Sequence, residues 1–385
     1  MSRDEAAKDL RRLYACAFLA DGAFYLLFTT VPWKALRLGA SPLALGILPA
    51  VASGIYIFSS LGFGRLSDRW PRIHLVRAGL AILTLVVVGI LLAPSVKAMA
   101  AVLAFLGLGM GMYWPAVQAA IAGAGPHKGL EGRIGRFNMS WSSGKMTGFL
   151  IGGALFHRFG EAATLGLALV FLAALLVLIP RSLAGPGRPA VLDEVAPVPP
   201  EVRRRFRRAA WILNFIAFGT GATLNHQYPK LLSATGRTAE DFGLFLGALY
   251  LTHTAVFWVL SRRDRWAYRW KWLLGSQFLL AAALAALPWL DRTALVLCAA
   301  VVMGGGIGVA YASSLYYSLH FEKSQGRFSG VHESLIGSGT FLFPLVGGWA
   351  TAASGKLWTP YLVCALASAA AVGSFLPLRR RSPAD

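Results

Sequence analysis

Residues 64–72 read Gly-Arg-Leu-Ser-Asp-Arg-Trp-Pro-Arg, a short charged stretch between two long apolar runs at 42–63 and 74–93. Each run has about 20 residues, which is the length at which an α-helix crosses the hydrocarbon core of a bilayer. Arginine and aspartate are costly inside a bilayer, so we expect this stretch to turn at a membrane surface. The pattern therefore predicts two membrane-spanning helices joined by a charged loop.

The composition extends this prediction to the whole chain. Of the 385 residues, 56% are hydrophobic and only 14% are charged, whereas soluble domains carry roughly 25% charged residues. A soluble fold of this length cannot bury so much apolar surface, but lipid solvates it. We therefore predict an all-α integral membrane protein with twelve transmembrane helices, at roughly 12–31, 42–63, 74–93, 98–121, 134–156, 163–180, 209–230, 242–261, 271–288, 294–318, 329–353 and 358–377.

The long connection at 181–208 is rich in proline and arginine, which predicts an irregular linker. It divides the chain into an N-terminal six-helix bundle (1–180) and a C-terminal six-helix bundle (209–385). Three pairs of segments repeat between the bundles at offsets of 196, 197 and 195 residues: SDRW (67–70) with RDRW (263–266), GLGMGMYW (107–114) with GGGIGVAY (304–311), and GKMTGFLIGG (144–153) with GTFLFPLVGG (339–348). Two parallel six-helix repeats are a known transporter architecture.

The net charge of +20 is distributed unevenly among the loops. When alternate loops are assigned to one side, that side holds about 28 of the 37 Lys and Arg residues. The positive-inside rule then predicts that both termini and the linker are cytoplasmic, in a multi-pass protein of the inner (plasma) membrane. The basic clusters mark topology and anionic-lipid contacts, so we expect no nucleic-acid partner.

The stretch at 64–72 resembles the G-x-L-x-D-R-x-G-R-K signature of the major facilitator superfamily. Five residues match, with proline where the second glycine is usual: Gly64, Leu66, Asp68, Arg69 and Arg72. The resemblance implies a conformational latch, in which Gly64 allows close helix approach and Asp68 caps the eleventh helix near Arg327. Arg69 and Arg72 would hold the aspartate or neighbouring carbonyls. The alternative is a charged turn that only fixes topology.

Glycines in the fifth span resemble a second family pattern, G-x3-G-P-x2-G-G, which is often linked with exporters. The matching glycines, with their counterparts in the eleventh span, are Gly144, Gly148, Gly152, Gly153, Gly347 and Gly348. Phe149 stands where the pattern has proline. Close helix packing alone would also account for these glycines. The Arg that the family often places in the fourth span is replaced by Phe105, so proton coupling is not inferred from that position.

Asp21 and Lys145 are the clear mid-membrane acid and base of the N-terminal half. At 1.5 Å per residue they lie roughly 13 and 16 Å from the same side. Their insertion costs about 3 kcal/mol each, and an ion pair would offset much of that cost. Spans one and five are neighbours in the family, so we expect such a pair. A cargo or a proton would break it, unless it is only a structural tie between helices.

Further polar residues on the predicted spans are candidates for a substrate or proton pathway, or else satisfied packing residues. They are Tyr113, Gln118, Asn138, Asn225, His226, His253, Tyr311, His332 and Glu333. In the family this chain resembles, spans one, four, seven and ten line the cavity. Pro229 follows Asn225 and His226 closely, and we expect it to end or unwind the seventh span because proline removes a hydrogen-bond donor.

The sequence contains no nucleotide-binding loop, metal-ligand spacing or nucleophile motif, and its three cysteines are far apart. We therefore expect no enzyme activity, no metal and no cofactor. The prediction is a monomeric secondary active transporter that exports a small organic solute by alternating access, coupled to protons. The alternative is a proton-coupled importer of a small polar nutrient, and a polytopic membrane sensor or enzyme is less favoured.

Overall fold

A computed structural model describes residues 3–67, 69–124, 130–180, 183, 198–262, 266–319 and 325–379. Those residues form helices and no strand, which confirms the predicted all-α class. The eleven α-helices of this described part are α1 (Arg3–Arg37), α2 (Pro42–Leu66), α3 (Arg72–Leu92), α4 (Val96–Ala122), α5 (Leu130–Leu178), α6 (Pro200–Ala234), α7 (Ala239–Leu260), α8 (Trp270–Ala286), α9 (Thr293–Leu319), α10 (Gln325–Ser354) and α11 (Thr359–Arg379).

Ten helices of the described part are long and apolar enough to cross a membrane, as a multi-pass membrane protein requires. The predicted twelve spans are not found as twelve separate helices. The fifth and sixth predicted spans form the single long helix α5, and α6 is not among the ten. Polar residues such as Asn214, Asn225 and His226 interrupt the apolar stretch of α6.

Helix α5 is broken at Gly160, whose φ of 78° and ψ of −170° lie where essentially only glycine is found. The break separates an outbound arm (130–159) from a return arm (161–178). Two contacts show that the chain reverses here. Glu161, at the start of the return arm, accepts a hydrogen bond from Lys34 near the end of α1. Further along the return arm, the Phe171 ring packs back against Gly22 in the middle of α1. The position of the break agrees with the predicted gap between the fifth and sixth spans.

Helix α6 departs from the sequence prediction at both ends. It begins at Pro200, so residues 200–208 of the predicted linker are helical, while 181, 182 and 184–197 lie outside the described residues. Proline suits the first turn of a helix, where its missing N–H has no partner to lose. The helix also continues through Pro229 to Ala234, contrary to the predicted break. Membrane helices tolerate proline where neighbouring groups satisfy the freed backbone, and Pro229 is buried.

Successive helices run in opposite directions when the two arms of α5 are counted separately, and they define two ends of the bundle. We call the end at which α1, α5, α6 and α10 begin the terminal end, and the opposite one the far end. Contacts between helices fit this assignment. A Cβ added at Gly135, early in α5, would lie 2.6 Å from Ser261 at the end of α7. One added at Gly46, early in α2, would lie 2.3 Å from the Pro344 carbonyl late in α10.

The buried apolar side chains form two clusters. One is drawn mainly from α1–α5, which we call the first group, and the other mainly from α6–α11, the second group. The exceptions lie where the groups meet: Phe257, Tyr311, Ala312 and Leu315 belong to the first cluster, and Phe149 belongs to the second. Each group therefore has its own apolar core, and the contact between the groups is a seam across the molecule.

The sequence repeat is reproduced in the packing of α4 and α9. A Cβ added at Gly107 would lie 2.0 Å from the Ala52 carbonyl of α2, and one added at Gly304 would lie 2.1 Å from the Leu249 carbonyl of α7. The two glycines are 197 residues apart, and so are the two carbonyls. These close approaches exclude any side chain at either glycine, so the same helix contact is built twice.

A second repeated contact joins the equivalent helices α5 and α10 to their neighbours. A Cβ at Gly144 would lie 2.1 Å from the Phe18 carbonyl, and one at Gly339 would lie 2.1 Å from the Phe215 carbonyl. Phe18 and Phe215 are again 197 residues apart. The predicted pseudo-symmetry of the two groups is thus visible at the level of individual backbone contacts.

Candidate functional site

A cavity lies between the two groups and is lined by residues of α1, α2, α4, α5, α6, α7, α9 and α10. About 140 Å³ of it is open to the centres of water-sized molecules, roughly ten times the space that one buried water needs. Aromatic and aliphatic side chains form most of the wall. Two carboxylic acids, Asp21 and Glu333, and one amine, Lys145, are among the residues that line the cavity. A mostly apolar pocket with a few polar groups is typical of small-molecule sites.

Lys145 lies near the middle of the outbound arm of α5 and is only 4% exposed. Its ammonium Nζ is 4.2 Å from the ring centroid of Tyr25 and 4.2 Å from that of Tyr250. The rings of Phe218 and Trp141 are 5.4 and 5.8 Å away. Each cation–π contact is worth about 2 kcal/mol when desolvated. Four aromatic rings therefore stabilise a charge that would otherwise be costly to bury.

Asp21 lies near the middle of α1 and lines the same cavity as Lys145. The expected ion pair is not formed, because no carboxylate oxygen of Asp21 comes within 4.0 Å of the Lys145 ammonium. The aromatic rings around Nζ hold the lysine instead. The two charges are still close enough to interact electrostatically across the cavity.

Glu333 lies on α10, and both oxygens of its carboxylate accept hydrogen bonds from the first group. The Tyr56 hydroxyl of α2 donates to Oε2 at 2.6 Å, and Gln118 Nε2 of α4 donates to Oε1 at 2.6 Å. Hydrogen bonds to an ionised group are shorter and roughly twice as strong as those between neutral groups. Glu333 therefore ties the two groups together at the wall of the cavity.

A second tie between the groups involves His253 of α7. Its Nδ1 lies 2.8 Å from the Ser142 hydroxyl of α5, and Thr254 Oγ1 donates to the same hydroxyl at 2.7 Å. His253 is fully buried and packs against Trp141, which lines the cavity, but His253 is not itself part of the cavity wall. It lies 197 residues after Tyr56, so the two ties start from equivalent positions and end on the equivalent helices α5 and α10.

The other predicted pathway residues divide into two sets. Gln118, Asn225, His226 and Tyr311 line the cavity. Three more are buried outside its wall with local partners. Tyr113 donates to the Cys16 carbonyl at 3.0 Å, Asn138 Oδ1 accepts from Trp141 Nε1 at 3.1 Å, and His332 Nδ1 lies 2.8 Å from the Ser314 hydroxyl. These three side chains therefore make their contacts outside the cavity wall.

The structure describes three of the four predicted latch residues, Gly64, Arg69 and Arg72, whereas Asp68 lies outside the described residues. Arg69 is exposed. Arg72 is buried, and its Nε donates to the Ser67 carbonyl at 3.3 Å. A Cβ added at Gly64 would meet Pro115 only at an ordinary 3.7 Å, so no close helix approach depends on this glycine here. The latch remains a prediction.

The predicted packing glycines lie at helix contacts. Cβ atoms added at Gly144, Gly148 and Gly152 would lie 2.1, 2.7 and 3.0 Å from atoms of α1. A Cβ added at Gly347 would lie 2.9 Å from the Pro360 side chain in α11.

Two more of these glycines lie at the seam between the groups. A Cβ at Gly153 would lie 2.5 Å from the Ala239 carbonyl of α7, and one at Gly348 would lie 2.5 Å from the Pro42 carbonyl of α2. Both positions are near the far end, where the seam is closed at backbone distance.

Sequence reasoning missed the aromatic residues closest to the charged groups. Tyr25 is four residues after Asp21, and helical spacing puts both on one face. Tyr56 could have been found from the repeat, because it corresponds to His253. Tyr250 carried no comparable signal.

Lys34 was also missed, because it was assigned to a loop rather than to a helix. Its Nζ donates to the Ile90 and Leu91 carbonyls, both at 2.8 Å, and to Glu161 at 3.3 Å. It caps the end of α3 and ties that end to α1 and to the return arm of α5.

The fold of this chain is similar to that of solved transporter structures. The chain is similar to a bacterial homologue of the human lysosomal transporter Spinster in an inward-facing, unoccupied conformation (15% identity, TM-score 0.63, covering 98% of this chain and 96% of the other). It is similar to the nucleoside transporter NupG (13%, 0.69, 96% and 98%) and to the human organic anion transporter MFSD10 (14%, 0.66, 97% and 99%). At such low identity these similarities show the fold alone.

Comparison with curated protein sequences finds no match. The sequence profile described as Major Facilitator Superfamily matches residues 13–342, most of the chain. That match agrees with the two pseudo-symmetric helix groups, the cavity between them and the transporter structures of the same fold. The chain therefore belongs to the Major Facilitator Superfamily and is a multi-pass membrane transporter rather than an enzyme.

Proposed function

We propose that the protein is a secondary active transporter that moves a small organic solute across the membrane by alternating access. The observation that carries this proposal is the cavity, whose wall is built jointly by the two groups. A rigid rotation of one group against the other would expose such a cavity first to one side of the membrane and then to the other. The aromatic wall favours an amphipathic solute.

The two ends of the seam are closed in different ways. At the far end, backbone meets backbone at Gly46 and Pro344, and Gln227 Nε2 donates to the Pro42 and Pro344 carbonyls at 3.1 Å each. Closer to the terminal end, the described residues join the groups through side chains: Glu333 and His253 form hydrogen bonds across the seam, and the Ser261 side chain packs close to Gly135. Side-chain ties are easier to break than packed backbones, so we propose that this conformation opens first toward the terminal end.

Protons are the proposed coupling ion. Protonation of Glu333 would remove the charge that strengthens its bonds to Tyr56 and Gln118, and so would weaken a tie between the groups. Asp21 presents a second carboxylate to the same cavity. We propose export, on the glycine pattern of the fifth span and the aromatic wall. Import of a small polar nutrient would use the same cycle in reverse.

The proposed setting is the inner (plasma) membrane, with both termini cytoplasmic and a monomeric protein. The chain would then cross twelve times, if the two arms of α5 and helix α6 each span the bilayer. Residues 1–180 and 209–385 would be the two moving bundles. A cysteine introduced at Arg69 should react only with reagent on the cytoplasmic side, and one at Ser233 only from outside. The opposite accessibility at either position would contradict this topology.

Distances between spin labels test alternating access without a known cargo. One pair, Leu38 with Ala353, reports on the far end, and the other, Trp70 with Lys271, reports on the terminal end; all four residues are exposed. Exposed Cys298 would be replaced by serine, while Cys16 and Cys364 are buried. We expect two distance populations at each end, which change in opposite directions between pH 8 and pH 5. A single unchanging distance at both ends would contradict the proposal.

A further inference from the structure

The cavity contains one acid and one base that have no hydrogen-bond or ion-pair partner among the described residues. Within the part of the chain that the structure describes, neither Asp21 nor Lys145 makes a hydrogen bond or an ion pair. Both are more than nine-tenths buried, at 6% and 4% exposure, and both line the cavity. Glu333 differs, because its two oxygens already accept bonds from Tyr56 and Gln118.

A buried charge without a partner is costly, and a partner of opposite charge recovers much of that cost. The aromatic rings offset part of the cost for Lys145, but they offer nothing to the carboxylate of Asp21. A molecule that satisfies both groups needs an anionic group for the lysine and a cationic group for the aspartate. An anion alone would leave Asp21 unpaired, and a cation alone would leave Lys145 unpaired.

The remaining wall indicates what joins these two groups. The rings of Tyr25, Tyr250 and Phe218 surround Lys145, and Trp114 faces the same cavity. Aromatic walls bury an apolar or aromatic body and also accept a cation over the ring face. The volume open to water-sized molecules, about 140 Å³, limits the size of that body.

We propose that the cavity binds a small zwitterion with an apolar or aromatic body, whose anionic group pairs with Lys145 and whose cationic group pairs with Asp21. The proposal rests on the proposed transport function and names the class of its cargo. It also gives the two charges a function that a direct ion pair between them would remove.

A matched series of ligands tests the proposal by varying charge on a constant body. The series is L-phenylalanine (zwitterion), L-phenylalaninamide (cation), N-acetyl-L-phenylalanine (anion) and N-acetyl-L-phenylalaninamide (neutral), with the same four forms of leucine and of tryptophan. Binding to the purified full-length protein would be measured by calorimetry and by thermal stabilisation, since a ligand stabilises the state it binds. For at least one body we expect the zwitterion to bind about tenfold or more tightly than its three relatives.

Two substitutions should then change the preferred charge in opposite ways. Lys145→Met should move the preference to the cation, and Asp21→Asn should move it to the anion. The double variant should prefer the neutral form. Lys97→Met, at an exposed lysine, is the matched control and should keep the wild-type order. The ligand series on the wild-type protein remains decisive if a variant fails to fold.

Two results would overturn the proposal. One is that no zwitterion binds the wild-type protein. The other is that an N-acetyl anion binds as tightly as its zwitterion and is unaffected by Asp21→Asn, which would make the cavity a site for simple anions. The spin-label distances separate this failure from failure of the transport proposal. If both ends still exchange between two distances, the transporter stands and only the cargo class is wrong.

Discussion

Glu333 connects helices that are far apart in the chain, since its carboxylate accepts bonds from Tyr56 and Gln118 of the other group. Glu333→Gln should mimic the protonated state, because it removes the charge and leaves only one acceptor oxygen. A change of about 1.4 kcal/mol alters a population tenfold. We therefore expect a several-fold larger population open at the terminal end, measured with the Trp70–Lys271 label pair at pH 8.

The same substitution should reduce the response to pH. In the wild-type protein the open population should increase as the pH falls, because acid removes the charge from Glu333. In Glu333→Gln that increase should be largely lost. Glu201→Gln, at an exposed residue at the start of α6, is the control. Its open population should respond to pH as that of the wild-type protein does. A variant with the wild-type pH response would show that Glu333 is not the titrating group.

At the scale of single elements, α5 depends on the reversal at Gly160. A side chain at this backbone conformation is strained, and such strain costs about 1–3 kcal/mol. Gly160→Ala should therefore lower the thermal unfolding temperature of the purified protein. Gly166→Ala is the control, because Gly166 is helical and a Cβ there has open space. Equal unfolding temperatures for the two variants would show that the reversal does not need glycine.

At the scale of the whole molecule, α5 and α7 meet near the far end at Gly153 and Gly243. A Cβ added at Gly153 would lie 2.5 Å from the Ala239 carbonyl and 2.8 Å from the Gly243 Cα. Gly153→Ala should force these helices apart and favour conformations open at the far end. The Leu38–Ala353 label pair should report a larger population at the longer distance.

The control for this variant is Gly373→Ala, because a Cβ at Gly373 would have no neighbour within 4 Å. It should leave the distance distribution unchanged. If Gly153→Ala also leaves it unchanged, the contact between α5 and α7 does not hold the far end closed. A rigid movement of the two groups about another contact would then be needed.

The sequence alone predicted the fold class, because the signals it uses are local. A run of apolar residues or a charged turn can be recognised within one short stretch of chain. The glycine repeat needs only the comparison of two short stretches about 197 residues apart. The same local reasoning placed Asp21, Lys145 and Glu333 inside the membrane. It also predicted a gap between the spans at 134–156 and 163–180, and the break in α5 at Gly160 lies within that gap. It was wrong about α6, because the surroundings of Pro229 in a buried helix are not visible in its own sequence.

The tertiary structure decided which groups meet. Tyr56 and Glu333 are separated by 277 residues, and Gln118 and Glu333 by 215. It also decided that aromatic rings, rather than Asp21, surround the Lys145 ammonium. A buried charge takes the partner that the packing of several helices places nearest to it. Helical spacing determines which face of a helix carries a charge, but only the packing of all the helices determines what that face meets.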